Sequence, residues 1–380
     1  MRSIVPTHAP REGRRVGRML AGTLVVVVMA VAVALAVHPP LLSALAAPLL
    51  GDGRADASST TPVLGGQTAE PTQAQVLSAL PTDERRYFGV SVAEVAGAGD
   101  PSAAFTSAVG VAPTLQMFFG SFAGSFDVGA ARRITAAGRL PMLTWEPFDH
   151  RTPTVNAFPL QAIAAGQFDV HLREEAARFA SVDGPLVVRF GHEMNGDWYP
   201  WGITAPGNSA ADYIAAYRHV HDVVTAAGAM NVVWMWSPNL IDAEPAVPLA
   251  SVYPGDDVVD WVGLSGYITS ATQTFANRMT PTLAQLDLAA PAKPVVLAET
   301  AVERTSNRAA QIRDLVEGVL STPRFIGFVW FDVAKRADWS VDDDPAAAAA
   351  LGEAVRAGGF GAGPHLVPAR TRSAAPTPGR

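Results

Sequence analysis

The stretch from Arg189 to Gly202 reads Arg-Phe-Gly-His-Glu-Met-Asn-Gly-Asp-Trp-Tyr-Pro-Trp-Gly. It follows the apolar run Pro185, Leu186, Val187, Val188, which predicts a buried strand. Glu193 therefore falls just past a strand end, with His192 and Asn195 beside it and Trp198, Tyr199 and Trp201 close behind. Aromatic rings stack on the flat faces of a sugar, and a carboxylic acid placed among them donates a proton to a glycosidic oxygen.

Such chemistry needs a second carboxyl. Glu299 ends another apolar run, Pro294, Val295, Val296, Leu297, Ala298, so a strand delivers it rigidly. Retaining glycosidases hold their two carboxyls about 5–5.5 Å apart across the bond that is cut. Glu299 is the candidate nucleophile, and Glu193 the candidate acid that later serves as base. Partial burial and a neighbouring carboxylate would raise the pKa of the acid. The plain alternative is that either glutamate only pairs with an arginine, and Arg189 and Arg304 are available.

Further candidates follow strand ends. Tyr267 is placed to donate its phenol hydrogen to Glu299. Trp198, Trp201 and Trp330 are candidate sugar platforms, and His192 and Asn195 candidate hydrogen-bonding partners of the sugar or of the carboxyl pair. Glu146 is a candidate to bind a hydroxyl or brace the site. Trp145 and Trp236 lie nearer strand interiors and suit the core equally well. A zinc protease would need His-Glu-x-x-His on a helix, but Gly196 stands at the second histidine's position. His219 and His221 are two apart on a predicted helix, so they point to different faces and read as packing or surface residues. No metal and no cofactor are expected.

Short apolar runs predict strands at 87–92, 114–119, 140–145, 186–190, 232–236, 259–264, 295–299 and 327–331. Helical patterns lie between them, most clearly at 211–227, 309–320 and 345–357. Eight such alternations predict a (β/α)8 TIM barrel, an α/β fold forming one catalytic domain over 84–357. A doubly wound sheet would also alternate, but no Gly-rich phosphate loop follows the first strand. In a barrel the chemistry belongs at the C-terminal strand ends, and Glu146, His192, Glu193, Tyr267, Glu299 and Trp330 all fall there. The acidic run Asp342, Asp343, Asp344 precedes the last helix and suits its N-terminus, with a calcium site as the minor alternative.

The chain has 380 residues, a net charge of −7 and no cysteine. Disulfides and cysteine metal sites are excluded, and the lack of a basic stripe excludes nucleic acid as a partner. Residues 1–50 hold five arginines followed by an uncharged stretch at 19–37, long enough to span a bilayer. Both a retained anchor and a signal cleaved after Ala44-Leu45-Ala46 fit, and either places the domain outside the cytoplasm. Residues 51–83 read as a flexible linker and 358–380 as a disordered tail. A monomer is expected.

The segment His192-Glu193-Met-Asn195-Gly-Asp-Trp198-Tyr-Pro-Trp201-Gly202 resembles the acid/base segment of glycoside hydrolase family 26. Ala298-Glu299-Thr300 is similar to its nucleophile segment. Further likeness lies in Met142-Leu-Thr-Trp-Glu-Pro147, Tyr217-Arg-His-Val-His-Asp222, Asn231-Val-Val-Trp-Met-Trp-Ser-Pro-Asn239 and Tyr253-Pro-Gly-Asp with Val259-Asp-Trp-Val-Gly263, and it runs from about residue 86 to 357. The resemblance implies a (β/α)8 barrel, catalytic glutamates after strands four and seven, and retention, most characteristically by endo-β-1,4-mannanases. Pro200, Ser265 and Ala301 depart from the family pattern, where another aromatic, an aspartate and often a glycine stand. These changes widen the expected substrates to β-1,3-xylan, mixed-linkage glucan or a bacterial exopolysaccharide. A non-hydrolytic polysaccharide-binding or exopolysaccharide-assembly barrel is the competing expectation.

Overall fold

The computed structural model describes residues 86–93, 99–152, 155–241, 246–333 and 338–361. The candidate membrane segment at 19–37 and the linker at 51–83 lie outside the described residues. Among the described residues, no helix is long and apolar enough to cross a membrane.

Eight parallel strands close a barrel in chain order. They are β1 (Tyr87–Val92), β2 (Leu115–Ser121), β3 (Leu140–Glu146), β4 (Leu186–Phe190), β5 (Val232–Trp236), β6 (Trp261–Ser265), β7 (Val295–Thr300) and β8 (Phe325–Asp332). The ring is sealed by β1 against β8, from Tyr87 opposite Gly327 to Val92 opposite Asp332. Every residue of β3 to β8 is buried, since helices cover the outer face and side chains fill the inner one. This double burial is why the strands read as unbroken apolar runs. The TIM barrel expected from the alternation is the fold observed.

The covering helices are α1 (Ala103–Val109), α2 (Val128–Ala136), α3 (Leu160–Ala164), α4 (Asp169–Ala180), α5 (Ala210–Ala226), α6 (Phe275–Ala289), α7 (Arg308–Ser321) and α8 (Pro345–Ala357). Helix α5 buries Tyr213, Ala216, Tyr217, Val220 and Val224, one apolar stripe at helical spacing. Its start is fixed by Ser209, whose hydroxyl accepts from the Asp212 amide. Helix α6 begins with a reciprocal capping box between Thr274 and Asn277. The acidic run does what a helix N-terminus asks of it: the Asp344 carboxylate accepts from the Ala347 amide at 3.1 Å, and Asp343 pairs with Arg304.

The described residues continue past the expected boundary at 357, to 361. Phe360 packs edge-on against Phe328 with ring centroids 5.3 Å apart. Gly361 bridges to Tyr87, and its amide donates to the Arg86 carbonyl at 2.9 Å. The glycines and alanines of this stretch hide an apolar anchor that the composition does not announce. Residues 362–380 lie outside the described residues.

Candidate active site

The site is organised around a buried cation. Arg189 on β4 has no solvent exposure, and its guanidinium sits inside the C-terminal end of the barrel. Its Nε donates to Ser237 Oγ at 2.8 Å, and its two terminal nitrogens donate to Thr144 Oγ1 at 3.2 Å and Ser265 Oγ at 2.6 Å. It also donates to Glu299 Oε1 in a buried ion pair. The rigid fork of donors thereby ties together β3, β4, β6, β7 and the residue after β5. A buried charge persists only with this degree of pairing.

Glu193 reaches the rim by an unusual turn. Its φ is +54°, making it the one described non-glycine residue in the left-handed region, a conformation found at functional sites where surrounding contacts hold it. Here its amide donates to the Ser237 carbonyl at 2.7 Å, and its carbonyl accepts from the Gly196 amide at 3.0 Å. Gly196 must be a glycine, because a Cβ there would meet the Trp198 ring at 2.4 Å. The ring therefore folds back over the turn, and its Nε1 donates to Glu193 Oε2 at 2.8 Å.

Glu299 is held from both sides. Arg189 binds Oε1, and the Tyr267 hydroxyl donates to Oε2 at 2.8 Å. Burial and the charges of Glu299 and Glu193 keep the Tyr267 phenol well above the ordinary tyrosine range, so it remains a donor. An oxygen of Glu193, an oxygen of Glu299 and a ring nitrogen of His192 lie within 4.8 Å of one another. Burial, then the nearby Glu299 carboxylate, pushes the Glu193 carboxyl above the usual glutamate range, while Arg189, Ser265 and Trp198 pull it back less strongly. Two carboxyls with such unequal surroundings can divide the roles of anion and acid. The same three residues are those that a cation would be offered. Glu299 already has a guanidinium and a phenol on its oxygens and Glu193 an indole, a donor set that suits anions.

The glycosyl hydrolase family 26 model matches residues 162–301, a span that includes both glutamates. This part of the barrel is similar to that family. The chain is 32% identical over 230 residues to Endoglucanase H of Acetivibrio thermocellus, covering 58% of this chain and 25% of that protein. It is 31% identical over 109 residues to β-1,3-xylanase TXYA of a Vibrio species, covering 28% of this chain and 22% of that one. The chain thus spans about a quarter of the length of these relatives. A family 26 β-mannanase from Bacteroides ovatus has the same fold, with a TM-score of 0.58 at 20% identity over 76% of this chain and 93% of that one.

Within the barrel the expected residues fall into two groups. Glu193, Glu299, Tyr267, Trp198 and His192 meet at one rim. His192 is buried against Phe119, and its Nε2 lies 3.1 Å from the Tyr199 hydroxyl. Trp198 is 40% exposed, so one face is open to a ligand. Glu146 is buried, with one carboxylate oxygen 2.9 Å from Nε2 of exposed His150.

The second group departs from expectation. Trp201 is not an open platform: its Nε1 donates to the His192 carbonyl at 2.7 Å, and Tyr199 stacks on it at 4.2 Å and 9°. Trp330 is fully buried, with its Nε1 on the Trp339 carbonyl at 3.3 Å. Asn195 spends its amide on the backbone of Asn239, accepting from the amide at 2.8 Å and donating to the carbonyl at 2.9 Å. It fastens the β4 loop to the β5 loop instead of facing the cleft. Trp145 packs beneath α4 against Phe179, and Trp236 against Tyr253. Arg304 is far from either glutamate, pairing with Asp338 and Asp343 at the surface.

Four contributors were not among the candidate site residues expected from the sequence. Ser237 and Thr144 supply hydroxyls to Arg189. Tyr199, not Trp201, presents the partly open ring. Trp339 lies against Tyr267 with centroids 4.7 Å apart. Arg189 itself was read only as a possible partner that would demote a glutamate, whereas here it pairs with Glu299 without drawing that carboxylate away from Glu193.

Proposed function

We propose that the domain is a retaining endo-β-glycanase in which Glu299 is the nucleophile and Glu193 the acid/base. The approach of their oxygens to within 4.8 Å carries this reading, because it lies close to the spacing of about 5–5.5 Å used in double displacement and well short of the about 6.5–9.5 Å that leaves room for an inverting enzyme's water. In the first step the Glu299 carboxylate bonds to the anomeric carbon while Glu193 gives its proton to the departing glycosidic oxygen. In the second, the Glu193 carboxylate takes a proton from water, the water oxygen bonds to the anomeric carbon, and Glu299 leaves as the carboxylate. Arg189 and Tyr267 hold Glu299 in line. Trp198 and Tyr199 supply the sugar-stacking surface. No cofactor takes part in this scheme.

The substrate class is a β-linked polysaccharide. β-1,4-Mannan heads the candidates, since the structural neighbour from Bacteroides ovatus is a β-mannanase. β-Glucan and β-1,3-xylan follow, as the two sequence relatives are named an endoglucanase and a β-1,3-xylanase. Polymeric glycans stay outside cells, so residues 19–37 are part of the same proposal as the device that carries the barrel across the membrane. The test is to incubate residues 84–361 with a panel of β-glycans and separate the released oligosaccharides. Mixed internal-cleavage products are expected, with activity reduced by about 10²–10⁴-fold in Glu193→Gln. Binding of a glycan with no cleavage by the unaltered protein would instead favour a non-hydrolytic barrel.

A further inference from the structure

Tyr267 carries a single donor to Glu299, and the structure shows what holds that ring in place. Its backbone carbonyl accepts from Arg278 Nε at 3.2 Å. Its ring meets Phe331 edge-on at 6.1 Å and 89°, and Trp339 covers the other side at 4.7 Å and 32°. Trp339 belongs to the segment between β8 and α8, which is fixed at three consecutive residues. The Trp339 carbonyl accepts from Trp330 Nε1 at 3.3 Å and from Arg308 at 3.1 Å. The Ser340 carbonyl accepts from Arg308 at 2.9 Å. The Val341 amide donates to Asp332 Oδ1 at 2.8 Å. Arg308 is itself buried and anchored to the Val302 carbonyl at 2.9 Å and to Asp344 at 2.9 Å.

This is more fastening than a surface loop needs. Trp339 is only 9% exposed, with its ring on Tyr267. We propose that Trp339 is a positioning residue: it holds the Tyr267 ring so that the phenol hydrogen stays on Glu299 Oε2, with Arg308 as its anchor. The inference rests on the reading of Glu299 as the nucleophile, because only then does the orientation of its carboxylate limit the rate. Loss of Trp339 frees the ring to move, and a shift of an ångström is enough to break a bond of 2.8 Å.

The experiment compares Trp339→Ala, Trp339→Phe, Tyr267→Phe and the double variant W339A/Y267F. Activity is read on the glycan that the unaltered protein cuts best, and a crystal structure of W339A is solved. W339A is expected to lose roughly ten- to a hundredfold in kcat with KM little changed, the value of one hydrogen bond to a charged group. W339F, which keeps an aromatic wall, should recover most of that rate. W339A/Y267F should be no slower than Y267F, because both changes act through one hydrogen bond. In the crystal of W339A the Tyr267 hydroxyl should have left Glu299. The inference is overturned if the two losses multiply, if the change falls on KM, or if Tyr267 keeps its bond to Glu299 without Trp339. Absence of any cleavage by the unaltered protein would refute the proposed activity instead, and the crystal structure would still decide the positioning.

Discussion

Replacing Arg189 with methionine removes the one buried cation of the site while keeping a side chain of similar reach. The Glu299 carboxylate is only 6% exposed and would keep Tyr267 as its sole remaining partner among those described, with the Glu193 oxygen still within 4.8 Å. Breaking a buried ion pair by deleting one partner costs about 3–5 kcal/mol. At roughly 2–4 °C per kcal/mol for a domain of this order of size, Tm should fall by about 6–20 °C. The hydroxyls of Ser237, Thr144 and Ser265 lose a donor too, which pushes the effect towards the upper end. The double variant Arg189→Met with Glu299→Gln leaves no unpaired charge, so it should be more stable than R189M alone. Thermal unfolding at pH 7 of R189M, E299Q and the double variant reads both effects. R189M melting within about 2 °C of the parent, or a double variant no more stable than R189M, would refute the view that Arg189 is chiefly the counter-charge of Glu299.

Other consequences concern protons. Glu299 raises the Glu193 carboxyl, so E299Q should lower the Glu193 pKa when it is followed by carbon-13 NMR of labelled glutamate; an upward move would contradict the assigned coupling. Trp198 favours the charged form of Glu193 through its indole N–H, so Trp198→Phe should raise that pKa and carry the alkaline limb of kcat/KM to higher pH. Burial raises Asp332 from 3.8 to about 6. The folded state then binds the proton more tightly than the unfolded chain, so this group's contribution is fully present below about pH 4 and is lost as pH rises through 6. Asp332→Asn keeps an acceptor for the Val341 amide and should stabilise the protein at pH 8 by up to about 3 kcal/mol, with the gain vanishing near pH 4. An equal gain at both pH values in urea unfolding would count against this cause.

The barrel was legible because strands covered on both faces must be apolar throughout, and β4 and β5 were found to the residue at 186–190 and 232–236. Edges were less readable where polarity and pairing part company. Strand β2 runs on through Gly120 and Ser121. Strand β6 begins at Trp261, two residues later than its apolar run, because the Asp260 carboxylate turns to accept from the Trp234 amide at 2.9 Å. The carboxyl pair was visible as single charges closing apolar runs. Side-chain direction was not: Trp201 and Trp330 have the right composition and sequence position, yet close packing and register turn both rings away from the cleft. The role of Trp339 had no local signal at all. It depends on Arg308, which donates to its carbonyl, and on Asp332, which holds nearby Val341, and both reach this segment only in the folded barrel.

The proposed double displacement would make one intermediate that no binding protein or inverting enzyme makes: a sugar covalently attached to Glu299. Treating the protein with a 2-deoxy-2-fluoro β-glycoside of its preferred sugar, followed by mass spectrometry of peptides, looks for that bond directly. A single glycosyl adduct on the peptide containing Glu299, with substrate cleavage products first released as the β-anomer, is the predicted result. An unlabelled Glu299 peptide together with a first product of inverted configuration would contradict the assignment of the two glutamates.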